Sequence, residues 1–226
     1  MDVTLYLKKV PIFAGLTQFD LDKLASLVTV QHYAKDNLIL LEEDMGRVLF
    51  MIGKGKVKIS QINDDGREVI LSILSSGDIF GEMALLDGSS RSASVTSLTD
   101  SELMILRRGD FLNLLEEYPK VSINLLKELA RRLRKSDSQI KSLSLKDATG
   151  KVAYVILRLA EEIGIHRDNS IVINGLPMQQ DIANMAGTSR ETVSRVFSKL
   201  QQNGLIIKKG SKLTITDIEA YKDYVS

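Results

Sequence analysis

Between Ile182 and Lys212 the basic residues Arg190, Arg195, Lys199, Lys208, Lys209 and Lys212 stand against one acid, Glu191, a local charge of +5 in a chain whose total is +1. Positive charge gathered in one segment is the footprint of a surface that meets phosphate. Within Ser189-Arg190-Glu191-Thr192-Val193-Ser194-Arg195, a helical period lets Arg190, Glu191, Ser194 and Arg195 project from one face while Val193 and Phe197 anchor the other. Arginine can grip guanine through two parallel hydrogen bonds and glutamate can accept from cytosine N4, each pair giving about 1–3 kcal/mol of discrimination. This helix, Ser189 and Thr192 included, suits a major groove, and Lys199, Lys209 and Lys212 extend the basic surface beside it.

A second constellation runs Gly77-Asp78-Ile79-Phe80-Gly81-Glu82-Met83-Ala84-Leu85-Leu86 and continues through Asp87-Gly88-Ser89-Ser90-Arg91-Ser92-Ala93. Gly81 lets the backbone approach a ligand closely, and exposed amides after it can bond a phosphate. Arg91 adds a charge-matched fork. Glu82 can accept from a sugar hydroxyl. Each residue alone is ordinary, since glycines mark turns and exposed Glu and Arg face water; the ordered combination is the signal.

The elements that must position these residues follow from the hydrophobic pattern. Thr17 to Val28 reads as an amphipathic helix with Thr17 as N-cap and Asp20 three residues on. Between Asn37 and Leu106 come short apolar runs separated by Gly- and Asp-bearing turns, among them the hairpin signal Asn63-Asp64-Asp65-Gly66. Many short strands at close spacing predict a barrel or jelly roll. A short helix is expected near Asp110 to Tyr118, and a much longer one opens at Pro119. In that long helix Leu126, Leu129, Leu133, Ser136, Ile140 and Leu143 follow 3-4-3-4-3 spacing, the seam of a two-stranded coiled coil, which predicts a homodimer. Ser136 interrupts the seam with a hydroxyl and has Asp137 beside it, a place where something polar can bind. After Ser144-Leu145-Lys146-Asp147, the expected hinge, Lys151 to Ile163 is helical. Met178 to Ala186, a Gly187-Thr188 break and Ser189 to Asn203 form a helix-turn-helix. Residues 205–215 form a basic wing, and Thr216-Asp217-Ile218-Glu219 resembles a capping box opening a last helical turn.

Composition narrows the chemistry. The 226 residues are 44% hydrophobic and 26% charged, ordinary globular values. Zero cysteines exclude disulfides, thiolate metal sites, thiol nucleophiles and cysteine-ligated iron–sulfur clusters. His32 and His166, the only histidines, stand far apart, so neither a metal nor a haem is expected. No Walker-type loop, acid–base histidine pair or metal-ligand spacing points to catalysis, and no enzyme is expected. Neither a spanning apolar stretch nor the order of a signal peptide is found, so the expected location is the cytoplasm, with no membrane partner.

Phe80-Gly81-Glu82-Met83-Ala84-Leu85-Leu86 through Arg91-Ser92-Ala93 resembles the phosphate-binding cassette of cyclic-nucleotide-binding domains. Ala130-Arg131-Arg132-Leu133, Asp147-Ala148-Thr149-Gly150 and Ser189-Arg190-Glu191-Thr192-Val193 are similar to segments of the cyclic-AMP receptor protein/FNR superfamily of transcription regulators. The resemblance runs from about Leu5 to Ile215. It implies an α+β chain with an N-terminal β jelly-roll sensor domain over 1–118, a long dimerisation helix and hinge over 119–146, and a C-terminal winged helix-turn-helix domain over 147–226. By this resemblance Arg91 and Ser92 hold a cyclic phosphate with backbone from Gly81, Glu82, Met83 and Ala84, and Glu82 takes the ribose hydroxyl. Ser136 and Asp137 face the base across the dimer, where the family usually carries Thr then Ser. Asp137 can accept from an adenine amino group or from guanine N1 and N2, so the implied effector is cyclic AMP or cyclic GMP. The implied partners are a palindromic duplex with TGTGA-like half-sites, a second copy of the chain, and RNA polymerase. Two alternatives use the same residues: a DNA-binding regulator without a nucleotide effector, and a nucleotide-sensing interaction module.

Overall fold

In a computed structural model the chain is described at residues 2–64, 66 and 68–225; Asp65 of the expected hairpin turn lies outside the described residues. It divides into two compact units, residues 1–61 with 74–134 and residues 62–73 with 135–226.

The first unit opens with α1 (Val3–Leu7), a short 3-10 turn at Pro11–Phe13 and α2 (Gln18–Leu27). Thr17 caps α2 as the sequence predicts: its hydroxyl accepts from the Asp20 amide at 3.2 Å while the Asp20 carboxylate accepts from the Thr17 amide at 3.0 Å. The strands between residues 29 and 107 are β1 (Thr29–Tyr33), β2 (Leu38–Leu40), β3 (Val48–Lys54), β4 (Lys56–Ile62), β5 (Glu68–Ser75, of which residues 68–73 are counted with the second unit), β6 (Ile79–Phe80), β7 (Ser94–Ser97) and β8 (Ser101–Arg107). They build the expected jelly roll as two four-stranded sheets, ordered β1-β8-β3-β6 and β2-β7-β4-β5. Phe50, Ile52, Phe80 and Leu103 from one sheet meet Val57 and Val95 from the other in a shared core, and the Phe50 and Phe80 rings stack with centroids 4.9 Å apart. At the Asn63 turn the Gly66 amide donates to the Asn63 carbonyl at 2.8 Å.

Three further helices complete the elements around this unit: α3 (Glu82–Asp87), α4 (Arg108–Glu117) and α5 (Pro119–Leu145). The outer face of the first sheet is covered by a second cluster that draws on Leu7, Phe13, Leu24, Phe111, Val121 and Leu125. Each of these side chains is at most 3% exposed, so α5 is anchored here by burial worth about 1.5–3 kcal/mol per large apolar side chain.

The second unit contains α6 (Ala148–Ile163), β9 (Gly164–Arg167), β10 (Ser170–Asn174), α7 (Gln179–Ala186), α8 (Arg190–Gln202), β11 (Ile206–Lys209), β12 (Lys212–Ile215) and α9 (Ile218–Val225). The Asp147 carboxylate caps α6 by accepting from the Gly150 amide at 2.7 Å. Two details differ from the sequence reading. The wing is half of a four-stranded sheet, β11-β12-β10-β9, because the hairpin β9–β10 completes it, with Ile171, Val172 and Ile173 of β10 buried. The last helix is two turns long and is capped by Asp217, whose Oδ1 accepts from the Glu219 and Ala220 amides, while the Thr216 hydroxyl donates to the Gly204 carbonyl at 2.7 Å.

Candidate functional site

Gly81 sits at φ +81°, in the left-handed region, between β6 and α3. A Cβ there would stand 2.5 Å from Arg91 Nη1, so both the backbone angle and the space require glycine. What fills that space is the Arg91 guanidinium, which donates through Nη1 to the Gly81 carbonyl at 2.7 Å and through Nη2 to the Val48 carbonyl at 2.8 Å. The backbone of Arg91 is clamped too: its amide donates to the Asp44 carbonyl at 2.8 Å and its carbonyl accepts from the Glu43 amide at 2.9 Å. Only 4% of Arg91 is exposed, and burial pulls its guanidinium below the ordinary arginine range while Glu82 and Asp44 pull it back.

Glu82, the first residue of α3, is 3% exposed. One oxygen, Oε1, accepts from Arg132 Nη1 at 3.1 Å. Arg132 also donates through Nη2 to the Ile79 carbonyl and through Nε to Glu128 Oε1, each at 2.8 Å, so a single α5 side chain fixes the starts of α3 and β6. Burial pushes the Glu128 carboxyl up, but hydrogen bonds from Arg131 and Arg132 outweigh it and hold Glu128 below the usual glutamate range. Nearby Asp78 goes the other way, its carboxyl raised by burial against the Ser75 amide and Arg132 that lower it.

Two atoms in this cassette are buried and find no hydrogen-bond partner among the described residues: Arg91 Nε, a donor, and Glu82 Oε2, an acceptor. A buried polar group without a partner costs about 1–3 kcal/mol, more where it is charged. The pair fits a ligand that carries an anion and a hydroxyl. The Ser92 hydroxyl is exposed, 3.9 Å from Met83 Sδ, and Met83 is half exposed while Ala84 is buried. Gly81, Glu82, Met83, Ala84, Arg91 and Ser92 are thus brought together. Ser136 and Asp137 lie exposed on α5, within the second unit. Arg132 was not singled out from the sequence for this cassette; the signal available was the pair Arg131-Arg132 on the long helix.

On α5 the seam residues Leu126, Leu133 and Ile140 are 65%, 64% and 63% exposed, and Leu143 is 44% exposed. Leu129 is half-buried and packs on the core of the first unit. Of the expected hinge, Ser144 and Leu145 complete α5, while Lys146 and Asp147 separate it from α6.

In the second unit Gly187 ends α7 at φ +58°, and the Thr188 amide returns to the Ala183 carbonyl at 3.0 Å, turning the chain into α8. Ser189 caps α8 by accepting from the Thr192 amide at 3.2 Å. Val193, Val196, Phe197 and Leu200 are buried, leaving Arg190, Glu191, Ser194, Arg195 and Lys199 exposed on the opposite side. Thr192 is half-buried, and its Oγ1 accepts from Arg195 Nη2 at 3.2 Å. Glu191 is held below the usual glutamate range by its own amide, by the Ser189 hydroxyl and by the charges of Arg190 and Arg195, so it stays an acceptor at neutral pH. Lys209 and Lys212 face one another across the β11–β12 turn, both exposed. All nine residues expected to meet nucleic acid therefore lie on α8, its cap, or the wing.

Among the described residues no group of three or more His, Cys, Asp or Glu is arranged to hold a metal ion, and no helix is long and apolar enough to cross a membrane.

Comparison with known proteins assigns a family to each of the two segments. Residues 30–118 match the cyclic nucleotide-binding domain family, and residues 150–224 match the Crp-like helix-turn-helix domain. The chain is 37% identical over 205 residues to the cyclic AMP receptor protein of Thermus thermophilus, covering 88% of this chain and 89% of that one. It is 30% identical over 213 residues to a CRP-like cAMP-activated global transcriptional regulator of Mycobacterium tuberculosis, covering 94% and 95%. Among solved structures, FixK2 from Bradyrhizobium japonicum shares the fold with a TM-score of 0.77 at 23% identity, over 88% of this chain and 98% of that one. The segment that holds Gly81 and Arg91 and the segment that holds the helix-turn-helix with its wing each match a family model, in that order along the chain, and with the full-length likeness to these relatives the chain belongs to the CRP/FNR family of DNA-binding transcription regulators.

Proposed function

We propose that the chain is a homodimeric regulator whose affinity for a palindromic duplex is set by a cyclic purine nucleotide, cyclic AMP in the first place and cyclic GMP in the second. The observation that carries this reading is the pair of buried, unpartnered atoms Arg91 Nε and Glu82 Oε2, a donor for the cyclic phosphate and an acceptor for the ribose hydroxyl. The Ser92 hydroxyl and the amides of Glu82, Met83 and Ala84 complete the phosphate contacts. Ser136 and Asp137, exposed on α5, read the base. The names of the Thermus and Mycobacterium relatives, one a cyclic AMP receptor and the other cAMP-activated, favour cyclic AMP.

Dimerisation uses Leu126, Leu129, Leu133, Ile140 and Leu143. Three of these, Leu126, Leu133 and Ile140, are spaced by seven and more than 60% exposed, a row that a second copy of the same helix would cover. Two copies present two α8 helices, and two-fold symmetry is what a palindromic site requires. Arg190, Glu191 and Arg195 read TGTGA-like half-sites, with Ser189, Thr192, Ser194, Lys199, Lys209 and Lys212 setting register on the backbone. The hinge is Ser144 to Asp147, and RNA polymerase is the further partner.

The test is fluorescence anisotropy of a TGTGA-type palindrome titrated with the purified full chain at one fixed salt concentration, without nucleotide and with cyclic AMP or cyclic GMP. Fixed salt matters because phosphate contacts dominate affinity. Cyclic AMP should tighten binding about 5–150-fold, the range of a coupling free energy of about 1–3 kcal/mol. Equal sequence-specific affinity under all three conditions overturns nucleotide control, and equal affinity for a scrambled duplex overturns the half-site.

A further inference from the structure

Strand β5 is the edge of the sheet β2-β7-β4-β5, and an edge strand turns a row of backbone N–H and C=O groups away from its neighbour. Leu71 and Ile73, two residues apart, present theirs on the same side. No strand meets them among the described residues; side chains of the second unit do, the unit with which residues 68–73 are counted. The Leu71 carbonyl accepts from Gln139 Nε2 of α5 at 3.2 Å and from Arg158 Nη1 of α6 at 3.3 Å. Glu162 lies one turn farther along α6. Burial pushes its carboxyl up, and Arg158, Lys135 and the Ile73 amide draw it back, so that amide faces the carboxylate. Donors on the Leu71 carbonyl and an acceptor at the Ile73 amide are what a neighbouring strand would supply.

Arg158 is 4% exposed, and the bond to Leu71 is the one hydrogen bond its side chain makes among the described residues, Nε and Nη2 being buried without a partner. A buried guanidinium held so sparsely adds little to stability, since an apolar chain in place of such a charge is often neutral or better. What it does supply is a tie between β5 and α6, the helix on which α7 and α8 pack. Lys135 Nζ, 3.6 Å from Glu162 Oε1, brings α5 into the same cluster. Beyond Ile73 the chain runs straight into the cassette: the Ser75 amide donates to Asp78 Oδ2 at 2.8 Å, β6 follows at Ile79, and Gly81 and Glu82 come next.

We propose that Gln139, Arg158 and Glu162 are positioning residues for effector control: they stand in for a neighbouring strand at the edge of β5 and so make β5 and α6 one body. A displacement of the cassette on nucleotide binding is then carried by β5 to α6, along a route separate from the Arg132 contacts of α5. The tie itself need not differ between states; it lets a differential contact at one end be felt at the other. This role rests on nucleotide control as proposed above, and the measurements below tell the failure of one from the failure of the other.

The test measures, by anisotropy on the TGTGA-type palindrome at fixed salt, the factor by which cyclic AMP tightens DNA binding of the full chain, unsubstituted and as Arg158→Met, Arg158→Lys and Gln139→Ala. Arg158→Met puts an apolar chain of similar length in place of a buried charge, so the thermal midpoint and the nucleotide-free affinity should hold. The factor should fall by about threefold or more, part of the tenfold or more that a charge-assisted hydrogen bond contributes. Arg158→Lys, which retains a donor, should recover part of it, and Gln139→Ala should lower the factor by about twofold. Hydrogen exchange of the unsubstituted protein gives a reading free of any variant: cyclic AMP should change exchange over residues 68–75 and 148–163 together. An unchanged factor in Arg158→Met or in Gln139→Ala, or exchange that changes over 68–75 while 148–163 stay as before, would overturn the proposal. A factor of one for the unsubstituted chain would instead overturn nucleotide control, and this role for the tie with it.

Discussion

Replacing Arg91 with methionine separates the residue's observed contacts from the phosphate contact proposed above, because the two use different atoms. Nη1 and Nη2 hold the Gly81 and Val48 carbonyls, at 2.7 and 2.8 Å, while Nε is buried and free. Losing the first two bonds leaves two carbonyls to find new partners, at about 1–3 kcal/mol each, but it also removes a buried guanidinium whose desolvation costs several kcal/mol. These effects oppose one another, so the nucleotide-free protein should change by less than about 2 kcal/mol, a midpoint shift below about 8 °C. Ligand binding has no such compensation. A charge-assisted bond from Nε to a cyclic phosphate contributes about 1.5–3 kcal/mol, so its loss weakens binding roughly 10–150-fold. Isothermal titration of cyclic AMP into the full chain measures the second quantity and calorimetric unfolding the first. A variant that unfolds near the unsubstituted midpoint and binds cyclic AMP within about threefold of the unsubstituted affinity would refute the assignment of Arg91 to the phosphate.

Three further outcomes follow from particular contacts. Ser189→Ala removes the oxygen that accepts from the Thr192 amide at the start of α8, so unfolding of the DNA-binding unit should move by about 1 kcal/mol, with DNA affinity falling alike on cognate and scrambled duplexes in anisotropy titrations. The Tyr118 hydroxyl donates to Asp20 Oδ1 at 2.9 Å, and this bond, with burial second, pushes its pKa up to about 12. A pKa raised in the folded state means stability that is complete below about pH 10 and is lost as pH rises through about 12, so Tyr118→Phe should flatten the midpoint-against-pH curve in that window. Leu133→Glu puts a charge in the middle of the exposed seam and should shift sedimentation from dimer to monomer without lowering helix content; a dimer unchanged in mass at micromolar concentration would remove the seam assignment.

What could be read from the sequence was whatever is decided within a few residues. The Thr17 and Asp20 capping box, Pro119 opening α5, the Gly187 turn and the Ser189 cap depend on neighbours in the chain, and each lies where its local chemistry puts it. The members of the cassette were also legible, but not its geometry. Six residues of α3 are too few to show a helical period, and the strand β1, exposed along most of its length, carries little apolar alternation. Strands β9 and β10 pair through a two-residue connection, and β9 has no buried residue to announce it. Arg132 and Glu82 are 50 residues apart, and Arg158 stands among the apolar residues of α6 with nothing in its local pattern to distinguish a buried cation from a solvated one. Those contacts arise only from packing, so they needed the structure.

Arg132 also indicates how a ligand at the cassette can be felt along α5. Glu82 has two oxygens with separate fates: Oε1 is taken by Arg132, and Oε2 waits in a buried position. A sugar hydroxyl that donates to Oε2 gains most when Glu82 is already held in place, because no ordering of the side chain then opposes binding. Arg132 supplies that hold, and it does so from the same helix that exposes Leu126 and Leu133. A position of α5 that keeps Arg132 on Glu82 and on the Ile79 carbonyl therefore favours ligand, and by reciprocity ligand favours that position of α5 by the same factor. A contact made equally in every position of the helix would transmit nothing. On the function proposed above, a ligand hydroxyl on Oε2 would act on the exposed leucines of α5 through one guanidinium, and the strength of that link would be the difference between the Arg132 bonds with and without the hydroxyl.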